Sequence, residues 1–229
     1  MTTVDEVMAA LRRLGRPDYL AVLAHFGIRA VQPFGVKLPE MRALAKRLGR
    51  DHKLAQALWK SGQYEARHVA IMVAEPAKMT DALLNRWVKQ IDSWDLCDGF
   101  CNELVRRTAD PWGKVAPWCA AEAEFVRRAG FALLASLAVH DKAAPDRRFL
   151  DTLPLIAAAA HDDRNFVKKA VNWALRQIGK RNLHLNGAAL GLATALAERP
   201  ERPARWIGHD ARRELLSDKV RAKLANKAA

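Results

Sequence analysis

Three stretches of this chain open in the same way, and that recurrence limits its possible folds more than any other feature. Tyr64-Glu65-Ala66-Arg67, Phe125-Val126-Arg127-Arg128 and Phe166-Val167-Lys168-Lys169 each place an aromatic residue three positions before a cation, and an apolar run follows. Arg128 and Lys169 are separated by 41 positions, the length of a two-helix HEAT-type unit, whereas Arg67 and Arg128 are separated by 61, so the repeat is irregular. Helix pairs that cannot bury their apolar faces alone stack into a curved solenoid with one concave side. On spacing alone, an ordinary helical bundle fits equally well.

Composition favours helices throughout. Alanine supplies 42 of 229 residues, against 12 Gly and 10 Pro, and Ala and Leu lose little side-chain freedom in a helix. Sustained apolar/polar alternation, the mark of strands, does not occur. The expected class is all-α: an irregular HEAT-like helical-repeat solenoid with a basic concave face. Turn and cap residues divide the chain into helices near 3–14, 17–26, 39–48, 51–60, 64–74, 80–91, 94–107, 113–120, 123–139, 147–160, 164–180 and 186–197. Pro200 and Pro203 suggest a break before a last basic helix near 210–225. The expectation is one domain over 1–229, with core repeats over 39–197 and a basic C-terminal segment over 198–229.

Several classes are disfavoured. Half of the residues are apolar, too many for a disordered chain. No apolar run reaches the ~20 residues that span a bilayer, and Met1-Thr2-Thr3-Val4-Asp5-Glu6 lacks the order of a signal peptide. Three cysteines form no disulfide framework and point to a reducing compartment. A cytoplasmic, membrane-free, monomeric protein is expected. The 38 Lys and Arg outnumber the 25 Asp and Glu, a net charge of +13. Nucleic acid is the expected polyanion, although an anionic membrane or an acidic protein would suit the charge as well.

The helix near 164–180 shows where chemistry would sit. Val167, Val171, Ala174, Leu175 and Ile178 form its core stripe. Lys169, Trp173, Arg176 and Lys180 occupy the opposite face, so an indole stands among three cations. Such a Trp either packs against a neighbouring helix under cation stems or meets a sugar or base beside a phosphate. On the helix near 94–107, Leu96, Phe100 and Leu104 face the core, while Trp94 and Asp98 share another face. A lone Asp98 would more simply bridge to a neighbouring cation, and Asp92 and Asp95 read as first-turn acids favoured by the helix dipole. Arg128 is expected to point away from the core of its helix, as Lys169 does in its own. Cys97 and Cys101 are one turn apart, yet with only Cys119 besides they make a packed pair rather than a metal site. No phosphate loop, HExxH motif or nucleophile elbow is present, and no metal or cofactor is expected.

These residues resemble the DNA alkylation repair family, the AlkD-like alkylpurine DNA glycosylases built from HEAT-like repeats. Ser93-Trp94-Asp95-Leu96-Cys97-Asp98 is similar to the family's Ser-Trp-Asp-x-x-Asp segment. Phe125-Val126-Arg127-Arg128-Ala129 is similar to the block carrying its active-site Arg, and the segment from Phe166 to Arg176 to the block carrying its second active-site Trp. The resemblance runs from about Phe34 to Asn182. It implies catalytic roles for Trp94, Asp98, Arg128 and Trp173, and double-stranded DNA containing alkylated purines as the partner. Arg127, Lys168, Lys169, Arg176 and Lys180 are the expected DNA contacts. The implied reaction is hydrolysis of the N-glycosidic bond of N3- or N7-alkylated purines, without a base pocket. Some relatives lack the catalytic set and bind unusual DNA structures, so a non-catalytic protein binding damaged or branched DNA is the alternative. A protein-interaction scaffold is a third, weaker one.

Overall fold

The computed structural model describes residues 2–28, 30 and 32–228, and among these it contains helices and no strand. The chain forms two compact units, Met1–Ala109 and Asp110–Ala229. The first unit holds α1 (Val4–Leu14), α2 (Pro17–His25), α3 (Leu38–Leu48), α4 (His52–Lys60), α5 (Tyr64–Val73), α6 (Asp81–Val88) and α7 (Trp94–Gly99). The second holds α8 (Trp112–Cys119), α9 (Glu124–His140), α10 (Asp146–Leu150), α11 (Leu153–Ala159), α12 (Asn165–Gly179), α13 (Leu183–Ala197), α14 (Arg202–Leu215) and α15 (Asp218–Ala228).

In the first unit α5 is the central element, packed by α1, α3, α4 and α7. Its residues are therefore buried around most of its circumference, Glu65 and His68 included. Glu65 is fully buried and accepts the backbone N–H groups of Gly35 (2.8 Å) and Val36 (3.3 Å), which docks the connector before α3. Gly35 has φ +79°, and a Cβ there would sit 2.3 Å from the Arg16 carbonyl oxygen, so only glycine fits. Trp59 and Trp87 stack face to face at 4.2 Å between centroids and close the core between α4 and α6.

Helix α7 is held to α5 by a buried polar cluster. The Tyr64 hydroxyl donates to Asp95 Oδ2, and His68 Nε2 lies 3.2 Å from the same oxygen. Burial pushes the Asp95 carboxyl up, but His68 and Tyr64 outweigh it and hold the group below the usual carboxylate range. Burial, with Asp95 beside it, also pushes the Tyr64 hydroxyl well above its ordinary value. Asp95 is a first-turn acid of α7, as expected, and is in addition a tertiary anchor. The expected helix over 94–107 is also not uniform. After Gly99 the winding passes through a π-helical turn at Phe100–Leu104 and a 3₁₀ turn at Val105–Arg107.

The second unit is built on α9 and α12, the most extensively packed pair. The aromatic residues that open these helices touch, with Phe125 and Phe166 centroids 5.6 Å apart, so the 41-residue repetition seen in the sequence is a contact between successive repeats. The core stripe of α12 is as expected: Val167, Val171, Ala174, Leu175 and Ile178 are fully buried. Other boundaries differ. The helix expected over 147–160 is divided into α10 and α11, with Pro154 in the first turn of the latter. The helix expected from 186 begins at Leu183, because Asn182 caps it by accepting from the Leu185 N–H.

The C-terminal segment departs most from expectation. Pro203 does not break the chain but sits in the first turn of α14, where its missing N–H costs nothing. Ala204, Ile207, Ala211 and Leu215 of α14 are fully buried and pack on α12 and α13. A Cβ on Gly208 would come within 2.5 Å of the Ala193 carbonyl oxygen, so glycine sets how closely α14 approaches α13. The segment is part of the repeat core.

Asp162 clamps the loop before α9 to the loop before α12. It accepts from Arg127 Nη1 (2.8 Å) and Arg164 Nε (2.9 Å), and the same two arginines donate to the Ala121 and Glu122 carbonyls. Burial raises the Asp162 carboxyl, but the two arginines prevail and lower it to about 2. Its stabilisation is therefore complete above about pH 4 and disappears as pH falls through about 2. Asp162→Asn is expected to destabilise the protein by about 2 kcal/mol at neutral pH, with the difference from the unmodified chain shrinking below pH ~4 in urea unfolding. Asp95→Ala leaves Tyr64 and His68 without their buried acceptor and is expected to cost about 1–3 kcal/mol, read as a lower thermal midpoint.

Candidate functional site

The residues singled out by sequence lie in both units, Trp94 and Asp98 in the first and the remainder in the second. Trp94 opens α7 and is half-buried against Leu23, Ile28 and Tyr64. Its Nε1 donates to the Phe26 carbonyl at 2.9 Å, so its orientation is set at both its apolar face and its polar edge. Asp98 follows one turn later on the same helix and is half-buried. The two acids of α7 are thereby distinguished. Asp95 is turned into the α5 interface, and Asp98 lies one helical turn from the indole, two residues before the π-helical stretch begins. Single π-turns inside helices are frequent at functional sites.

In the second unit, Trp173 is half-buried on α12. With the Gln177 amide oxygen turned toward it, Trp173 Nε1 donates across 3.0 Å. The cations expected around it have different surroundings. Lys169 is exposed and Lys168 half-buried. Lys168 Nζ lies 5.1 Å from the centroid of the Trp206 ring. Arg176 and Lys180 face α14, where both meet Glu214 at 2.5 Å, and Arg176 also approaches Asp210 at 3.5 Å. Burial raises the Glu214 carboxyl, but Lys180 and Arg176 hold it below the usual range. Asp210 further accepts from the Asn172 amide at 2.7 Å. Sequence periodicity placed Arg176 and Lys180 correctly opposite the core stripe but gave no sign that acids of α14 would meet them there.

Arg128 differs from expectation. It is only 5% exposed, not turned out from the core, and its Nη1 donates to the Phe166 carbonyl at 2.6 Å. The reason lies in α9, whose residues from Ala129 to Ala138 are buried on every side, so one-sided periodicity does not apply to it. Arg127 is the Asp162 clamp described above. Trp206 and His68 were not singled out by sequence, and Tyr64 was noted only as the opening of a recurring stretch. The signal for Trp206 was present, because it stands opposite Ala204, Ile207 and Ala211 on an amphipathic helix.

All three cysteines are buried and unbridged, and burial pushes the Cys119 thiol above its ordinary value. Among the described residues, no three or more His, Cys, Asp or Glu side chains gather where they could hold a metal ion, and no helix is long and apolar enough to cross a membrane.

No curated protein sequence matches the chain. A solved structure superimposes with a TM-score of 0.77 at 21% identity, covering 94% of this chain and 96% of the other. That protein represents a family related to the HEAT-like repeat DNA glycosylases, with affinity for branched DNA structures. The likeness shows that this chain has the HEAT-like repeat fold. A family model described as DNA alkylation repair enzyme matches residues 7–215, nearly the whole chain, and the protein accordingly belongs to the DNA alkylation repair family.

Proposed function

We propose that the protein is a DNA glycosylase that hydrolyses the N-glycosidic bond of N3- or N7-alkylated purines in double-stranded DNA, acting as a cytoplasmic monomer. The observation that carries this reading is the pairing of an acid with an indole on α7. Asp98 lies half-buried one turn from Trp94, whose N–H is bonded to the Phe26 carbonyl.

The chemistry suits these side chains. An alkylated purine of this type already carries positive charge, so it leaves without a strong general acid. What remains is to stabilise the oxocarbenium-like sugar and direct a water molecule to it. A carboxylate at Asp98 does both through charge placed where positive charge develops. An indole face, at Trp94 or at Trp173, packs on a deoxyribose and attracts its growing charge. Arg128 is assigned to a phosphate, which must compete with its bond to the Phe166 carbonyl. Lys168 and Lys169 are assigned to the DNA backbone, as are Arg127, Arg176 and Lys180, although these last three also bind acids of the protein. A contact to phosphate by any of them must compete with that pairing.

A second reading, a non-catalytic protein that binds damaged or branched DNA, is favoured by the net charge of +13 and by the branched-DNA affinity of the structural neighbour. One assay separates the two. Purified protein incubated with methylated duplex DNA is expected to release 7-methylguanine or 3-methyladenine, followed by chromatography of the freed bases. Asp98→Asn is expected to slow release about 100-fold or more while DNA binding persists. If the unmodified protein binds DNA yet frees no base from several alkylated substrates, the second reading replaces the first.

A further inference from the structure

Helix α14 segregates its charges. Its acids, Asp210 and Glu214, are turned toward α12 and engaged by Asn172, Arg176 and Lys180. Arg202, Trp206, His209 and Arg213 follow one another at helical spacing on the face opposite the buried residues, and all four are exposed. Arg213 additionally pairs with Asp210 along the helix. Arg205 folds back onto the carbonyls of Arg199 and Pro200 and does not belong to this row. Glu201, an exposed acid, stands at the N-cap just before the row.

Trp206 is the conspicuous member. It is 39% exposed, in a protein that buries Trp59, Trp87 and Trp118 almost completely. The Lys168 ammonium lies over its ring at 5.1 Å, and exposed Lys169 follows Lys168 on α12. An exposed indole beside one lysine, with arginines a turn above and two turns below, combines a plate for stacking with charges for phosphate. In intact duplex the base faces are stacked on one another, and phosphate contacts need no aromatic plate. An unpaired base does need one. A bilayer surface would require a continuous apolar face on the helix, whereas the neighbours of Trp206 on this row are charged or polar, and exposed Leu216 is nearly three turns away.

We propose that this face of α14, together with Lys168, is a second DNA-binding surface: it takes a single-stranded stretch, stacking an unpaired base on Trp206 while Lys168, Arg202 and Arg213 hold the flanking phosphates. The assignment rests on the DNA-binding part of the function proposed above. It is independent of Asp98 and of base release.

The test is fluorescence anisotropy with a single-stranded oligonucleotide, a blunt duplex, and the same duplex bearing a single-stranded overhang. The overhang is expected to bind more tightly than the blunt duplex. Trp206→Ala is expected to remove that preference and to weaken single-strand binding about tenfold, the loss of one stacked base, with blunt-duplex affinity unchanged. Trp206→Phe retains the preference. Should Trp206→Ala fail to fold, Arg202→Ala provides the readout, lowering the salt slope of single-strand binding by about one ion and leaving that of the blunt duplex unmoved. Equal weakening of all three DNAs by Trp206→Ala, or a single-strand salt slope unmoved by Arg202→Ala, overturns the assignment. Binding to phosphatidylserine vesicles that is lost in Trp206→Ala overturns it in favour of a membrane surface. Failure of the unmodified protein to bind any of the DNAs instead defeats the DNA reading as a whole.

Discussion

Short helices leave a large share of their backbone unsatisfied, and here arginine supplies the missing donors. The C-terminal end of each helix leaves four carbonyls without intrahelical partners, and most helices of this protein run only two to four turns. Arg181 donates to the Ala138 carbonyl near the end of α9, Arg199 to the Ala157 carbonyl near the end of α11, and Arg50 to the Met72 carbonyl near the end of α5. In the second unit these bonds join segments about one repeat apart in sequence. The planar guanidinium, with five N–H donors in a fixed fork, can serve a carbonyl and a carboxylate at once, as Arg127 and Arg164 do around Asp162. Repeats that share modest apolar faces are thereby held in register by directional bonds.

That use of arginine changes what the net charge means. A charge of +13 on 229 residues points toward a polyanionic partner, but several of the contributing guanidinium groups are spent inside the fold. Arg128, only 5% exposed, is bonded to a backbone carbonyl of the next repeat. Arg176 and Lys180 are matched by Glu214. The field available to a ligand therefore comes chiefly from lysines and from arginines on outward helix faces. Total charge is a poor guide to which cations a phosphate would meet.

The same distinction explains what the sequence disclosed. Helix α12 is amphipathic, so periodicity alone divided its core stripe from Lys169, Trp173, Arg176 and Lys180. Helix α9 is enclosed on all sides and has no polar stripe to read, which is why Arg128 was expected outside and is found inside. Asp95 is a first-turn acid as read, but its partners were hidden: such an acid looks the same in sequence whether solvent or a Tyr–His pair from α5 receives it. Pro203 was ambiguous between ending one helix and starting another, and Ala204, Ile207 and Ala211 behind it decided in favour of a start. Local patterns were legible wherever one face of a helix meets water. Where a helix is surrounded, or a hydrogen bond or ion pair depends on a partner about 38 residues away (Asn172 with Asp210, Arg176 with Glu214), the information is tertiary.

The arrangement on α7 follows from these constraints. A carboxylate that stabilises a transient cation is effective only if its position is settled before the charge appears, because reorganisation during the reaction subtracts from the benefit. A helix of six residues cannot provide that rigidity by its own hydrogen bonds. The fold provides it from outside. Asp95 is fastened to Tyr64 and His68, the Trp94 ring rests on Leu23 and Ile28 while its N–H is tied to the Phe26 carbonyl, and Phe100, Cys101 and Leu104 anchor the turn that follows. Asp98 lies between these fixed points. Asp95, which would take no direct part in the proposed chemistry, fastens to α5 the helix that carries Asp98.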